Sequence, residues 1–193
     1  MEHKGTKRLE TKRLILRQYC MDDAEDMFNH WASDSEVTKF LTWPAYTDVR
    51  MAYERIADWM NQYSDPTFYN WVIELKESSK AIGCISIVRM NETVGSVDIG
   101  YCMGKAWWGR GIMAEALQAV IDYLFAEVGL NRIAAAHDKK NPNSGRVMDK
   151  AGMKVEGTLR ASGWNQQGIC DMVWHSILRN EWENSQNITT GSH

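Results

Sequence analysis

Two glycines placed two residues apart, Gly109 and Gly111, are the feature of this sequence with the clearest chemical meaning. They stand between a strand-like run that ends at Met103 and a helix-forming run that begins at Ala114. Glycine lets the backbone turn tightly and brings consecutive N–H groups close to a bound group. The first N–H groups of the following helix are unpaired, and its positive dipole end points to the same place. The pattern predicts a cradle for an anion, of which phosphate and pyrophosphate are the usual examples.

A Gly-x-Gly pair alone also fits an ordinary strand-to-helix turn, so the surrounding sequence has to decide between the two interpretations. A dinucleotide-binding domain needs Gly-x-Gly-x-x-Gly after its first strand and an acidic residue about 20 positions later, and this sequence has neither. It also has no glycine loop that ends in Gly-Lys-Ser or Gly-Lys-Thr, which excludes a P-loop nucleotide triphosphatase.

The composition indicates one large domain. The chain has 193 residues, of which 44% are hydrophobic, and a formal net charge of −3, so no nucleic-acid partner is expected. No apolar run approaches the roughly 20 residues that cross a bilayer, and the charged start of the chain is unlike a signal peptide. We expect a cytoplasmic protein without membrane contact, with its domain over residues 1–183 and a polar, loose tail over 184–193. Four scattered cysteines predict neither a disulfide framework nor a metal site.

The hydrophobic periodicity predicts an α+β fold with a βαβ-like crossover in its second half. The predicted strands cover residues 13–19, 68–74, 81–88, 96–103, 132–137, 155–160 and 171–178. Two helices are predicted near the start of the chain, with Asp22 and Asp48 as their N-caps. Two more are predicted over residues 114–127 and 143–150, and a hairpin loop over 163–168.

Several short motifs occur in a fixed order along nearly the whole chain. They are Arg-Leu-x-Leu-Arg at residues 13–17, Ile99-Gly100-Tyr101, Trp108-Gly109-Arg110-Gly111, Glu115-Ala116, Asn141-x-x-Ser144, Lys150-Ala-Gly152, Glu156-Gly157 and Asp171. With these motifs in register, the chain resembles the GNAT superfamily of acyl-CoA-dependent N-acetyltransferases. Within it, the chain is similar to the branch of ribosomal-protein N-terminal alanine and serine acetyltransferases. The resemblance implies a mixed central sheet of about seven strands with flanking helices.

The resemblance also implies acetyl-CoA as co-substrate, with no metal. Its pyrophosphate would lie on the glycine loop, and its pantetheine arm would pair with the backbone of the preceding strand. The residues assigned to acetyl-CoA in this way are Tyr101, Cys102, Met103, Trp108, Gly109, Arg110, Gly111, Ile112, Met113, Ala114 and Asn141. Trp108 departs from the Gln or Arg usual at the first loop position, and Met113 is bulkier than the residue usual at the last.

For catalysis, the resemblance implies Ser144 as the group that protonates the departing CoA sulfur. A tyrosine often serves this purpose on the following helix, but its position holds Met148 here. Asp98 occupies the position where this branch often has glutamate, and it is the first candidate for a general base. His137 and His175 are further titratable candidates, although a single histidine in a strand is more often packed than catalytic.

The same resemblance implies a primary amine as acceptor, with a protein or peptide N-terminus ranked first and a ribosomal protein among the candidates. Trp43 and Trp164 stand in loops that border the acceptor groove in this superfamily. An alternative acceptor is a small amine such as an aminoglycoside or polyamine, attracted by acidic residues beside the aromatic loop, Asp34, Glu36 and Asp48. A second alternative is an acyl-CoA-binding module without catalysis. A homodimer is compatible with each of these hypotheses.

Overall fold

Eight strands and six α-helices occur in the computed structural model, which describes the backbone of residues 1–190 and the side chains of residues 1–187. The strands are β1 (Leu9–Glu10), β2 (Leu14–Arg17), β3 (Asn70–Leu75), β4 (Lys80–Asn91), β5 (Ser96–Met103), β6 (Arg132–Asp138), β7 (Lys154–Asn165) and β8 (Gly168–Leu178). The helices are α1 (Asp23–Met27), α2 (Ser35–Thr38), α3 (Arg50–Gln62), α4 (Ile112–Tyr123), α5 (Pro142–Lys150) and α6 (Arg179–Thr190). The predicted order of elements is confirmed, with β1, α2 and the C-terminal α6 as additions.

The strands form one sheet in the order β1-β2-β3-β4-β5-β6-β8-β7. Every neighbouring pair is antiparallel except β5 and β6, which are parallel. Parallel neighbours need a long crossover, and α4 supplies it between these two strands. The predicted α+β class with a mixed sheet and flanking helices is therefore confirmed, with eight strands in place of about seven.

Helices cover both faces of the sheet. The side chains of a strand point alternately to its two faces, and in the central strands both sets are apolar and need to be covered. On β3, for example, Trp71 and Ile73 belong to the apolar cluster under α4, whereas Val72 belongs to the cluster under α1 and α3. The helical spacing of the apolar residues along the segment 114–128 predicts one face that points into the core, and the residues of that face are all buried. They are Ala116, Leu117, Val120, Tyr123, Leu124 and Val128.

The tryptophans predicted to pack within regular elements do so. Trp31 and Trp71 are fully buried, and Trp59 and Trp182 are half-buried. The indole N–H of Trp71 donates to the Lys7 carbonyl at 2.7 Å, so burial of this ring leaves no polar atom unpaired.

The predicted helix caps have different outcomes. The prediction for Asp22 is wrong, because its φ of −64° is already helical and its side chain makes no capping bond. The neighbouring Asp23 instead accepts from the backbone N–H of Cys20 at 2.8 Å. Asp48 lies one residue before the N-cap position, which Val49 occupies, but its carboxylate accepts from the backbone N–H of Arg50 at 2.8 Å, where α3 begins.

The final hairpin is longer than predicted. Residues 163–168 were expected as a loop, yet β7 continues to Asn165 and β8 begins at Gly168. A tight turn becomes possible because Gly168 has a φ of +104° and the Asn165 side chain accepts from the Gln167 backbone N–H at 2.8 Å. Most residues of β7 are exposed, so the strand lacks the buried alternation from which its length could be predicted.

The predicted loose tail from Asn184 is also corrected, because α6 runs through Thr190 and residues 191–193 lie outside those described. The start of the helix is held against the core by Trp182. Its ring lies 5.5 Å from that of Phe125, and its N–H donates to Asp122 at 2.7 Å. A polar sequence that follows such an anchor can continue the helix without any apolar stripe of its own.

Candidate active site

The parallel strands β5 and β6 pair over only three residues each and then separate. Ser96 to Asp98 pair with Arg132 to Ala134, and no further register is formed between these strands within the described chain. Both continue along their other neighbours, β5 with β4 and β6 with β8. A cavity of about 750 Å³ opens between the separated ends. Its size suits a substantial organic ligand.

One part of the cavity, which we call the cradle wall, consists of residues from β5, the glycine loop and the start of α5. Its members are Tyr101, Cys102, Met103, Trp108, Gly109, Gly111, Ile112, Met113, Ala114, Asn141 and Ser144. A second wall comes from α2 and the loop after it and from the ends of β6 and β8. Its members are Glu36, Val37, Lys39, Phe40, Leu41, Asp138 and Met172. The sequence-predicted residues are therefore brought together, except for Arg110 and Asp98, which do not line the cavity.

The glycine loop has the conformation that an anion cradle requires. Gly109 and Gly111 have φ values of +75° and +71°, in the left-handed region that favours glycine. A β-carbon added to Gly109 would meet no atom within 4 Å, so the requirement is conformational rather than steric. Because α4 begins at Ile112, its unpaired N–H groups and positive dipole end adjoin the loop.

A network of hydrogen bonds holds this loop against the start of the chain. Glu115 accepts from the Thr11 hydroxyl at 2.6 Å and from the backbone N–H and Nε of Arg13 at 2.9 and 2.6 Å. Arg13 also donates to the Arg110 carbonyl at 3.0 Å. Burial alone raises the pKa of Glu115, but these hydrogen bonds outweigh it and hold the pKa below its ordinary value. The motifs at residues 13–17 and 115–116 thus support the cradle from outside the cavity.

The indole of Trp108, at the first position of the loop, serves as a structural bridge. It is 44% exposed, and its N–H donates to the Met103 carbonyl at 2.7 Å. This bond joins the end of β5 to the glycine loop. The exposed side chain of Arg110 lies outside the cavity lining, so its predicted contribution to an anion has no contact in the structure to support it.

Ser144 lies in the first turn of α5, opposite a tyrosine of β5. Its hydroxyl is 3.0 Å from the Tyr101 hydroxyl, which also donates to the Ser144 carbonyl at 2.9 Å. Burial raises the pKa of Tyr101, so this phenol stays protonated and can donate. Asn141 is the N-cap residue of α5, yet its side chain makes no capping bond. The Asn141 side chain is therefore not used as a helix cap, and its amide is available to a ligand.

Asp98 lies at the last paired position of β5, immediately before the split. Its carboxylate is 3.3 Å from Nε of Arg89, and its side chain is 21% exposed. Burial raises its pKa above the ordinary value, although Arg89 and Arg132 oppose that shift. The carboxylate is thus a reasonable proton acceptor by its chemistry, but it does not lie on the cavity surface.

The two histidines form a buried pair beside α5. His137 lines the cavity, and its Nε2 lies 3.3 Å from Nε2 of His175. Its Nδ1 is bonded to the Asp138 carbonyl at 2.8 Å, so both ring nitrogens have protein partners. Burial, together with His137, lowers the pKa of His175. A β-carbon on Gly145 would lie 2.6 Å from the His137 ring, which shows how closely α5 packs here and supports packing as the role of the pair.

The sequence predicted only some of the residues that form the second wall. Trp43 packs half-buried against Tyr46, and Trp164 is 59% exposed on β7, and neither lines the cavity. Glu36 and Phe40, from the predicted aromatic loop and its acidic surroundings, do line it. Asp138 was missed, because a single aspartate at the end of a short strand carries no sequence motif.

Within the described residues, no helix is both long and apolar enough to cross a bilayer. The side chains of residues 1–187 also include no group of three or more histidine, cysteine or acidic residues placed to hold a metal ion.

Comparisons with known proteins agree with this geometry. The GNAT acetyltransferase domain family matches residues 13–154. An uncharacterized N-acetyltransferase, p20, of Bacillus licheniformis is 32% identical over 174 residues, which cover 90% of this chain and 97% of that protein. The [ribosomal protein uS5]-alanine N-acetyltransferase of Escherichia coli is 27% identical over 162 residues, which cover 78% of this chain and 79% of that protein.

A GNAT-family acetyltransferase from Bacillus anthracis has the same fold, with a TM-score of 0.80 at 25% identity over 90% of this chain and 99% of that one. The resemblance inferred from the sequence motifs is thereby confirmed, including its relation to ribosomal-protein acetyltransferases. The split sheet, the glycine cradle and the matching family together identify this chain as a member of the GNAT family and an acetyl-CoA-dependent N-acetyltransferase.

Proposed function

We propose that this enzyme transfers the acetyl group of acetyl-CoA to the α-amino group at the N-terminus of a protein or peptide. The observation that carries this choice is that neither candidate base inferred from the sequence, His137 or Asp98, is free on the cavity surface. Both ring nitrogens of His137 are engaged, and Asp98 lies off the lining. An α-amine has a pKa of about 8 and a lysine about 10.4, so the α-amine needs far less help to lose its proton.

The cradle wall is proposed to bind the donor. The N–H groups of residues 109–114 would hold the pyrophosphate, and the backbone of Tyr101, Cys102 and Met103 would face the pantetheine arm. The side-chain amide of Asn141 would orient the same arm. Open space beside both loop glycines supports this assignment, since an added β-carbon has no neighbour within 4 Å at Gly109 and only an arginine side chain, at 3.9 Å, at Gly111.

The proposed chemistry is direct attack, in which the amine forms a C–N bond to the thioester carbonyl and the C–S bond breaks. Ser144 then gives its hydroxyl proton to the departing sulfur. The Tyr101 hydroxyl, 3.0 Å from the serine oxygen, would turn its single proton from the Ser144 carbonyl to that oxygen as the serine proton leaves, and water then restores the proton of Ser144. A covalent intermediate on Cys102 is disfavoured, because its hydrogen bond with Cys84 and its burial raise the pKa of this thiol far above the ordinary value.

Asp98 is proposed as the final proton acceptor, acting through ordered water rather than by contact with the amine. Its raised pKa suits a group that accepts a proton near neutral pH better than an ordinary aspartate would. It lies at the base of the split, one residue before Ile99 of the lining, and the water would span the gap from there to the amine.

An assay with labelled acetyl-CoA and a panel of acceptors tests the proposal. The panel contains peptides with free N-termini, beginning with those of ribosomal proteins because one relative acts on uS5, together with polyamines and aminoglycosides. We expect labelled peptides. Label only on polyamines or aminoglycosides would establish the small-amine alternative, which the two acidic residues of the second wall favour. Binding of acetyl-CoA without any labelled product would establish a non-catalytic module.

A further inference from the structure

The end of β6 carries a carboxylate that is buried and yet lines the cavity. Asp138 is 5% exposed and belongs to the second wall. One of its oxygens accepts from the Lys140 backbone N–H at 2.8 Å, and the other accepts from the Asn165 side-chain amide at 2.7 Å. Asn165 is itself buried and is fixed by the hairpin turn through Gln167. The carboxylate is thus held in one orientation by two separate segments of the chain.

This carboxylate has no cationic partner among the side chains of residues 1–187. No lysine, arginine or histidine nitrogen of that part of the chain lies within 4.0 Å of it. Asp23 is buried to the same degree but is bridged by two nitrogens of Arg17, each at 2.8 Å. A buried charge is costly unless it is paired. Asp138 has neutral donors alone, the Lys140 backbone N–H, the Asn165 amide and the Cys170 thiol, and one side that borders the cavity.

The surroundings of Asp138 fit the entry of an amine that carries an organic group. Met172 is its register partner on β8, and Phe40 and Leu41 supply further apolar surface on the same wall. The Gln166 amide lies 3.4 Å from the Leu41 carbonyl, which brings the hairpin turn next to that loop. The cradle wall begins across the split, on β5. An amine bound at the second wall would therefore face the donor.

We infer that Asp138 is the counter-ion that binds the ammonium group of the acceptor. This inference rests on the proposed function and assigns the acceptor site within it. The ligand class is a primary ammonium ion attached to an apolar or neutral group, which includes the first residue of a peptide. Asn165 is a positioning residue, because it touches the carboxylate and not the amine.

A counter-ion has a kinetic signature that separates it from a general base. It stabilises the positive charge on the amine nitrogen in the bound ammonium ion and again as the C–N bond forms, after one proton has passed to the ordered water. Because the same contact holds in both states, its loss raises the acceptor KM and leaves kcat nearly unchanged. The Asp138→Asn variant should raise the KM for a peptide acceptor at least tenfold, with kcat and the KM for acetyl-CoA within twofold of the wild type. A large loss of kcat with an unchanged acceptor KM would overturn the inference.

The amide in Asp138→Asn can satisfy only one of the two N–H donors, so a second measurement is needed that is insensitive to local disturbance. The binding of a peptide is compared with that of its isostere in which a hydroxyl replaces the α-amine, each as a competitor of the acceptor. The wild type should prefer the amine at least tenfold. The ratio of the affinity for the amine to the affinity for the hydroxyl isostere should fall to about one in Asp138→Asn. It should recover in part in Asp138→Glu. An unchanged ratio in Asp138→Asn would overturn the assignment.

Two control variants locate the effect. Asp171→Asn removes a nearby carboxylate that is outside the cavity lining and that accepts from the Ala161 backbone N–H, and it should keep the wild-type ratio. Glu36→Gln removes the other acidic side chain of the lining. If the preference for the amine is lost in Glu36→Gln and kept in Asp138→Asn, the counter-ion is Glu36.

If the wild type acetylates no peptide, the proposed function fails. If it does and the variants keep its ratio, only the role of Asp138 fails.

Discussion

The two walls of the cavity are built in different ways. The cradle wall depends on backbone geometry, with positive φ at Gly109 and Gly111, and on a hydrogen-bond network around Glu115 that holds the loop. The second wall depends on side chains such as Phe40 and Asp138, from segments far apart in sequence. A backbone site demands particular residue types, whereas a side-chain site can be assembled from many. One fold can therefore keep its donor while its acceptor changes.

Among variants that test the difference between the two walls, Gly111→Val is expected to have the largest effect on the affinity for acetyl-CoA. A β-branched residue at a φ of +71° is strained, so the loop should leave its cradle conformation. The affinity for acetyl-CoA should fall by at least about 1–3 kcal/mol, as measured by calorimetry. Gly95→Val is the matched control, because Gly95 has a φ of +62° in the β4–β5 turn away from the cavity. It should lose stability but keep its affinity. An unchanged affinity in Gly111→Val would contradict the cradle.

The next largest effect is expected from Ser144→Ala, within the same wall. The change removes a contact that strengthens as the sulfur departs, so kcat should fall about tenfold, below the usual range for acid–base groups because a hydroxyl is a weak acid. The KM for acetyl-CoA should change less. Steady-state kinetics of Tyr101→Phe, which removes the partner hydroxyl at 3.0 Å, should show a smaller loss of kcat. A raised KM with kcat intact would assign Ser144 to ground-state binding.

A smaller effect is expected from Glu115→Gln, which loosens the support of the cradle but leaves its glycines in place. We expect an affinity loss for acetyl-CoA of about threefold to tenfold, roughly the net value of one ordinary hydrogen bond. Glu127→Gln is the matched control, since Glu127 pairs with Lys4 near the other end of the same helical segment. If both variants bind acetyl-CoA like the wild type, the network does not support the cradle.

The Glu115 variant also makes a prediction for pH. Because the folded pKa of Glu115 lies below its ordinary value of 4.5, its contribution to stability is present above that pH and is lost as the pH falls through the folded pKa. The difference in melting temperature between wild type and Glu115→Gln should therefore be constant above pH 5 and shrink at lower pH. A difference that grows in acid would contradict the sign of the shift.

The smallest effect is expected at the hairpin that carries Asn165. Hydrogen bonds from Arg132 hold the pKa of Glu156 at about 2, with a further contribution from Ser176. Since Glu156 is 41% exposed and screened by solvent, Glu156→Gln should cost about 1 kcal/mol or less of unfolding free energy at pH 7. That cost should disappear between pH 4.5 and about 2. Acetyl-CoA affinity should not change, and a clear loss would show that the two walls are coupled.

The sequence predicted the order of the elements, the buried face of α4 and the glycine cradle, because periodicity and glycine placement are local properties of the chain. It did not predict the full hairpin, since the exposed residues of β7 have no buried alternation. It also missed the continued helix at the C-terminus, where a single anchor, Trp182, replaces an apolar stripe. Asp138 could not be found, because its burial and its missing counter-ion exist only after β6, β8 and the hairpin turn meet.

The most direct test of the account uses one peptide that carries both a free α-amine and a lysine. The peptide is incubated with the enzyme and acetyl-CoA, and tandem mass spectrometry locates the acetyl group. We expect acetylation of the α-amine, with the lysine unmodified while α-amine remains, because neither His137 nor Asp98 is free on the cavity surface to deprotonate an amine of high pKa. Acetylation of the lysine alone would contradict the account.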